Sequence, residues 1–143
     1  MKTSEKRILT THVGSLPRSK AVTEVVFARE HGEALDQDRA DETIRLAVRA
    51  TVQRQVEAGV DVVSDGEMSK ISYATYIKDR ITGFEGDSPR TPPRDLEEFP
   101  GFLQRQAASG GTPSYSRPCC VGEIKVKDMG PVTEDIANFT AAL

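Results

Sequence analysis

Hydrophobic and polar positions along the chain follow two different periods, and each change of period marks a predicted element. Between Lys6 and Val13, the residues Ile8, Thr10, Thr11 and Val13 form a β-capable run that enters Gly14-Ser15-Leu16-Pro17. This predicts a first strand near residues 7 to 13 with a loop at its C-terminal end. From Ser19 the spacing lengthens, and Val22, Val25 and Val26 fall on one helical face ahead of Gly32. The acid-rich stretch Glu33 to Glu42 reads as a solvated connection. It lacks the glycine and final glutamate that a calcium loop of the EF-hand type requires. Asp38 or Asp41 is expected to cap the next helix, whose Ile44, Val48, Val52 and Val56 form an i, i+4 stripe up to Gly59.

The run Val60-Asp61-Val62-Val63 leaves little room for in-out alternation, so it predicts a parallel strand near residues 60 to 64 covered on both faces. It stops in Ser64-Asp65-Gly66-Glu67, an acidic turn around a glycine. The C-terminal end of a parallel strand is where α/β proteins bind ligands, which makes Asp65 and Glu67 candidate site residues beside ordinary turn chemistry. Farther on, Ile71 to Ile81 predict one helix, and Pro118 to Ile124 a third buried strand. Between them, from about residue 84 to 115, Gly, Ser, Pro and Asp dominate. Phe99, Phe102 and Leu103 suggest that part of this excursion docks as a lid or short helix. Thr133 to Leu143 predict an N-capped helix with Ile136, Phe139 and Leu143 on one stripe.

Composition narrows the classes. One core is what 143 residues comfortably support, so residues 1–143 are expected to form a single domain or part of one. A net charge of -3 with scattered basic residues gives no nucleic-acid surface. No run of about 18 apolar residues suggests a membrane span, and Met1 to Leu9 carry charges where a signal peptide needs an apolar core. A soluble, cytoplasmic protein is expected. Cys119 and Cys120 are adjacent and would point to opposite faces of a strand, predicting one core cysteine beside a partly exposed one. His12, just before the glycine loop, is a candidate ligand, acid or base.

The segment Thr10-Thr11-His12-Val13-Gly14-Ser15-Leu16-Pro17-Arg18, the helix end Gln55 to Gly59 and the run Val60 to Glu67 together resemble the cobalamin-independent methionine synthase family. The likeness is to its C-terminal catalytic domain and, more closely, to shorter single-domain relatives that include epoxyalkane:coenzyme M transferases. Gly122-Glu123-Ile124 and Gly130-Pro131-Val132 extend it through most of the chain. The resemblance implies the N-terminal portion, about three βα units, of a (β/α)8 TIM barrel of the methionine synthase/uroporphyrinogen decarboxylase-like type. Three strands cannot close such a barrel, so open edges are expected, covered by the remainder of the barrel or by another copy in a homo-oligomer.

The implied activity is transfer of a methyl or alkyl group to a zinc-activated thiol. By the same resemblance, Val13, Gly14, Ser15 and Glu67 hold the amino-acid part of homocysteine. Backbone N–H groups at a glycine loop suit a carboxylate, and an ionised glutamate suits an ammonium group. Asp65 stands where methionine synthases commonly have histidine, and Arg18 and Lys70 would suit a thiol ending in a sulfonate, as in a coenzyme M type alkyltransferase. Arg117 matches only loosely an arginine-cysteine pair that faces folate in the family. The family's zinc is bound by a His-x-Cys pair, a glutamate and a further cysteine on later strands, so the metal is expected outside this chain. A non-catalytic binding module built on an incomplete barrel is the reading from another class.

Overall fold

A computed structural model describes residues 3–86, 88, 94–108 and 118–143. Helix α1, Lys20–His31, starts where the Ser19 hydroxyl accepts the Val22 N–H, and ends at Gly32 in the left-handed region. Helix α2, Gln37–Glu57, is capped by Asp36, whose carboxylate accepts the Arg39 N–H. The cap thus lies two residues ahead of the earlier of the two expected positions, because Ala40 already belongs to the buried face. Ile44, Val48 and Val52 are buried as the stripe requires, but Val56 is exposed and Gln55 takes the buried place. The reason is polar pairing. Gln55 Nε2 donates to the Ser64 carbonyl at 2.7 Å, and its Oε1 accepts the Ser64 N–H at 3.0 Å. One side chain therefore satisfies both backbone groups of a residue leading into the acidic turn.

The core joins Val22 and Val26 of α1, Ile44, Val48 and Val52 of α2, and Met68, with Leu16, Val63, Ile71 and Phe139 packed around them. Phe139 comes from the last helix, α6, Gly130–Ala142, which packs on α2 as α1 does. This helix begins three residues before the predicted start and has no side-chain cap, since Pro131 fits the first turn without an N–H to satisfy. Of its predicted stripe, Ile136 and Leu143 are exposed. The helix expected over Ile71 to Ile81 shortens to α3, Tyr73–Lys78, capped by Ser72.

Beneath the helices, the segments around Thr11 and Val62 run parallel and meet in one bridge, with the Val62 N–H donating to the Thr10 carbonyl at 3.1 Å. The N-terminal segment is tied down through Asp61, which accepts hydrogen bonds from the Arg7 guanidinium and from the Thr10 N–H at 2.9 Å. These bonds hold the Asp61 carboxyl well below the ordinary carboxylate range, the Arg7 hydrogen bond contributing most.

The strands expected near residues 7 to 13 and 60 to 64 thus reduce to that one bridge, with Val62 exposed instead of covered on both faces, and the third strand also differs from expectation. Strands β1, Phe84–Glu85, and β2, Cys119–Cys120, pair antiparallel, and an isolated antiparallel bridge joins Ile81 and Val126 beyond them in a shifted register. The chain doubles back on itself instead of crossing over. Gly83 lies so close to Gly122 and Glu123 that a Cβ on it would stand 2.7 Å from a carbonyl oxygen. Both cysteines are exposed, so neither is the predicted core residue. Within the excursion, α4 spans Arg94–Glu97 and α5 Pro100–Ala108. Phe99 and Phe102 are exposed there, not docked, and the side chain of Leu103 lies outside the described residues. The described architecture is α/β: three packed helices, an isolated parallel bridge and a two-stranded antiparallel sheet.

Candidate functional site

Two loops meet at the ends of the parallel segments. The Leu16 N–H donates to the Gly66 carbonyl at 3.0 Å, which locks the glycine loop after the first segment to the acidic turn after the second. Gly66 has φ 64°, and a Cβ there would stand 2.7 Å from Thr51 Cγ2 and 3.2 Å from Leu16. Neither the backbone angle nor the space admits another residue comfortably.

Glu67 follows with φ 56°, the one non-glycine residue in the left-handed region among those described. Such a conformation costs on the order of 1–3 kcal/mol and persists only when neighbours hold it. Asp65 Oδ1 accepts the Glu67 N–H at 3.0 Å. Arg18 holds the other side: its Nη2 donates to the Glu67 carbonyl at 2.9 Å and to the Lys70 carbonyl at 2.6 Å. The Ser15 hydroxyl donates to Glu67 Oε2 at 2.5 Å, and Arg18 Nη2 reaches the same hydroxyl oxygen at 3.2 Å. Burial pulls the Arg18 guanidinium below its ordinary value, and the Glu67 carboxylate opposes that shift. It remains a cation throughout.

The cradle around this glutamate is open. Val13 is 89% exposed, and nothing lies within 4 Å of the place a Gly14 Cβ would occupy. Among the described residues, no acceptor is paired with the N–H of Val13, Gly14 or Ser15, and no donor with Glu67 Oε1. One edge thus offers backbone donors and the other a carboxylate oxygen.

Other predicted residues are engaged elsewhere. Lys70 Nζ lies 3.4 Å from Asp65 and 3.7 Å from Asp135, and 4.4 Å from the centre of the Tyr76 ring. Tyr76 donates to Asp135 at 2.6 Å. Burial and the neighbouring Asp135 push its phenol up to about 12. His12 is half-buried on the α2 side, in a cleft of about 300 Å³ shared with Thr51, Arg54 and Gln55, and its Nε2 has no partner. The structure therefore brings Ser15, Arg18, Asp65, Glu67 and Lys70 together and leaves His12 facing another cavity. Arg117 lies outside the described residues.

Sequence reasoning missed Asp135, Tyr76 and Gln55. The Tyr76–Asp135 bond joins residues 59 apart, so no local spacing announces it. The Gln55 clamp had one signal, a polar residue beside the apolar stripe of α2 just before the strand it serves.

Comparison with known proteins adds a family. The family described as "Cobalamin-independent synthase, Catalytic domain" matches residues 8–89, which contain every residue of this cluster except Asp135. A methionine synthase of Sulfolobus acidocaldarius is 28% identical over 134 residues, which are 94% of this chain and 34% of that protein. One from Saccharolobus solfataricus is 29% identical over the same shares. One from Saccharolobus islandicus is 35% identical over 80 residues, 56% of this chain and 24% of that protein. The chain thus spans about a third of the length of the first two relatives.

Proposed function

The chain belongs to the cobalamin-independent synthase family by its catalytic domain, and from that premise we propose that it supplies the amino-acid-binding part of a methionine synthase-like methyltransferase. The reaction of the complete protein is transfer of a methyl group to the thiol of homocysteine or a close analogue, within a (β/α)8 barrel. One observation carries this reading. The Glu67 carboxylate is tied by the Ser15 hydroxyl to the glycine loop, in which three consecutive backbone N–H groups, of residues 13 to 15, have no acceptor among the described residues. A free carboxylate oxygen and unpaired backbone donors on adjoining segments suit a zwitterion, with the ammonium on Glu67 and the carboxylate on residues 13 to 15. Asp65 shapes the turn in this reading by accepting the Glu67 N–H.

The alternative with a sulfonate-ended thiol, as for a coenzyme M type alkyltransferase, needs cations free to meet it. Lys70 lies between Asp65 and Asp135, and Nε and Nη2 of Arg18 are taken by carbonyls and the Ser15 hydroxyl, which favours the amino-acid thiol. Zinc does not fit the residues in hand. Among those described, no three His, Cys, Asp or Glu side chains converge, His12 faces α2, and the two cysteines are exposed. The metal expected for this family would be held by residues other than these. Metal analysis of the purified chain is expected to find no tightly held stoichiometric zinc. One zinc per chain, lost on mutating His12 or Cys119, would overturn that placement.

The test of the substrate reading is competition between L-homocysteine, 4-sulfanylbutanoate, which lacks the ammonium group, and 2-sulfanylethanesulfonate. Glu67→Gln is expected to weaken homocysteine by about 1.5–3 kcal/mol, the range for a hydrogen bond to a charged group, and to leave the other two unchanged. Equal binding of all three thiols to both proteins would reduce Glu67 to a turn residue. No helix of the described residues is long and apolar enough to cross a membrane.

A further inference from the structure

The geometry points to Arg18 as the positioning residue that sets the ammonium specificity of Glu67, an inference that rests on the substrate reading above. Glu67 sits at φ 56°, where an L-residue needs outside support. Its N–H is held locally, by Asp65 two residues away. Its carbonyl is held by a residue from the other loop: Arg18 Nη2 at 2.9 Å and Nε at 3.3 Å both donate to that one oxygen. The same Nη2 reaches the Lys70 carbonyl at 2.6 Å and the Ser15 hydroxyl oxygen at 3.2 Å. One planar guanidinium therefore fixes the backbone of the turn, its exit three residues later, and the hydroxyl that orients the Glu67 carboxylate.

This arrangement answers what the arginine does. A cation beside a binding carboxylate ordinarily competes with the ligand's ammonium group. Here Nε and Nη2 donate to carbonyl and hydroxyl oxygens, and the Ser15 hydroxyl stands between Nη2 and the carboxylate. Glu67 Oε1 consequently keeps its lone pairs for a ligand. A lysine ends one bond short of Nη2, so its ammonium, although it carries three donors, does not reach the same three oxygens.

The experiment has two readouts on the full chain. In the ligand-free protein, the backbone conformation of Glu67 is followed by NMR through its HN–Hα coupling and Cα shift. With ligands, the ratio of affinities for L-homocysteine and 4-sulfanylbutanoate is measured. In Arg18→Gln, Glu67 is expected to leave the left-handed region, and the ratio to fall at least tenfold. Arg18→Lys is the second variant, should glutamine prevent folding, and the same two changes are expected. An arginine that merely stabilised the loop would lower the unfolding midpoint and leave the ratio alone. That result, or an unchanged Glu67 conformation in a folded Arg18 variant, overturns the inference. Failure of the substrate reading looks different: the ratio is then insensitive to Glu67→Gln itself, while the ligand-free signal still reports whether Arg18 positions the turn.

Discussion

The helical side and the strand side of this molecule contain the same kinds of apolar residue and treat them in opposite ways. Val22, Val26, Ile44, Val48 and Val52 are almost completely buried between α1 and α2. Ile8, Val13, Val62, Val121, Ile124 and Val126 are exposed, Ile8 at 87%. The helices complete one another within the described residues, whereas the parallel segments meet in a single bridge. Exposed strand-type residues with unpaired backbone edges are surfaces that ordinarily receive further strands. The contrast separates the side that packs within the described residues from the side whose apolar residues stay exposed.

The largest expected effect tests the self-sufficient side. Ile44 is fully buried in α2, at the junction of the two helices. Ile44→Ala is expected to lower stability by about 2–5 kcal/mol, the range for deleting a buried aliphatic side chain. Denaturant unfolding at unchanged slope measures it. A loss below about 1 kcal/mol would mean that the α1–α2 interface is not the source of stability, and the comparison would break.

The joint between the two sides gives a smaller effect with a pH signature. Tyr76 of α3 donates to Asp135 of α6, which also faces Lys70 at the end of the acidic turn. Tyr76→Phe is expected to cost about 1.5–3 kcal/mol near neutral pH, as for one hydrogen bond to a charged group. The phenol is raised from its ordinary value near 10 to about 12 in the folded protein. A raised value means that the folded state favours the protonated phenol. Its stabilisation is therefore complete below pH 10 and disappears as the pH rises through 12. Tyrosinate absorbance should show one late-titrating phenol in the parent protein, absent from Tyr76→Phe and moved to lower pH in Asp135→Asn.

The same contrast explains what the sequence made legible. The helices were readable because their periodicity reflects burial within the chain: Val22, Val26, Ile44, Val48 and Val52 lie where their spacing places them. Ser15 and Glu67 were brought together by a family resemblance and meet at 2.5 Å. The parallel relation of the first two segments was also readable, and it appears as the Thr11–Val62 bridge. The third segment misled. An apolar run such as Cys-Cys-Val-Gly-Glu-Ile does not say which strand it pairs with, and its partner here lies upstream in Phe84–Glu85. Arg18 was legible as a cation but not as a backbone clamp, because its partners are carbonyls, which carry no residue identity.

The smallest expected effect probes the uncovered side. Ile8 belongs to the first predicted strand, yet at 87% exposure it has little packing to lose in this chain. Ile8→Thr keeps the β-branched shape and removes apolar surface, so its effect on stability should stay within about 0.5 kcal/mol, as for ordinary surface substitutions. The same reasoning applies to Ile124→Thr, 55% exposed beside the antiparallel ladder. The pair sharpens the comparison when measured again in a longer protein that carries the further strands the proposed barrel requires. If those strands cover this face, removing buried apolar surface there costs about 25 cal/mol per Å², and both substitutions move from neutral to destabilising by about 1 kcal/mol or more. Strong destabilisation by Ile8→Thr in the present chain would mean that the strand side already buries this residue in solution, most simply against a second copy, and sedimentation at several concentrations would detect it.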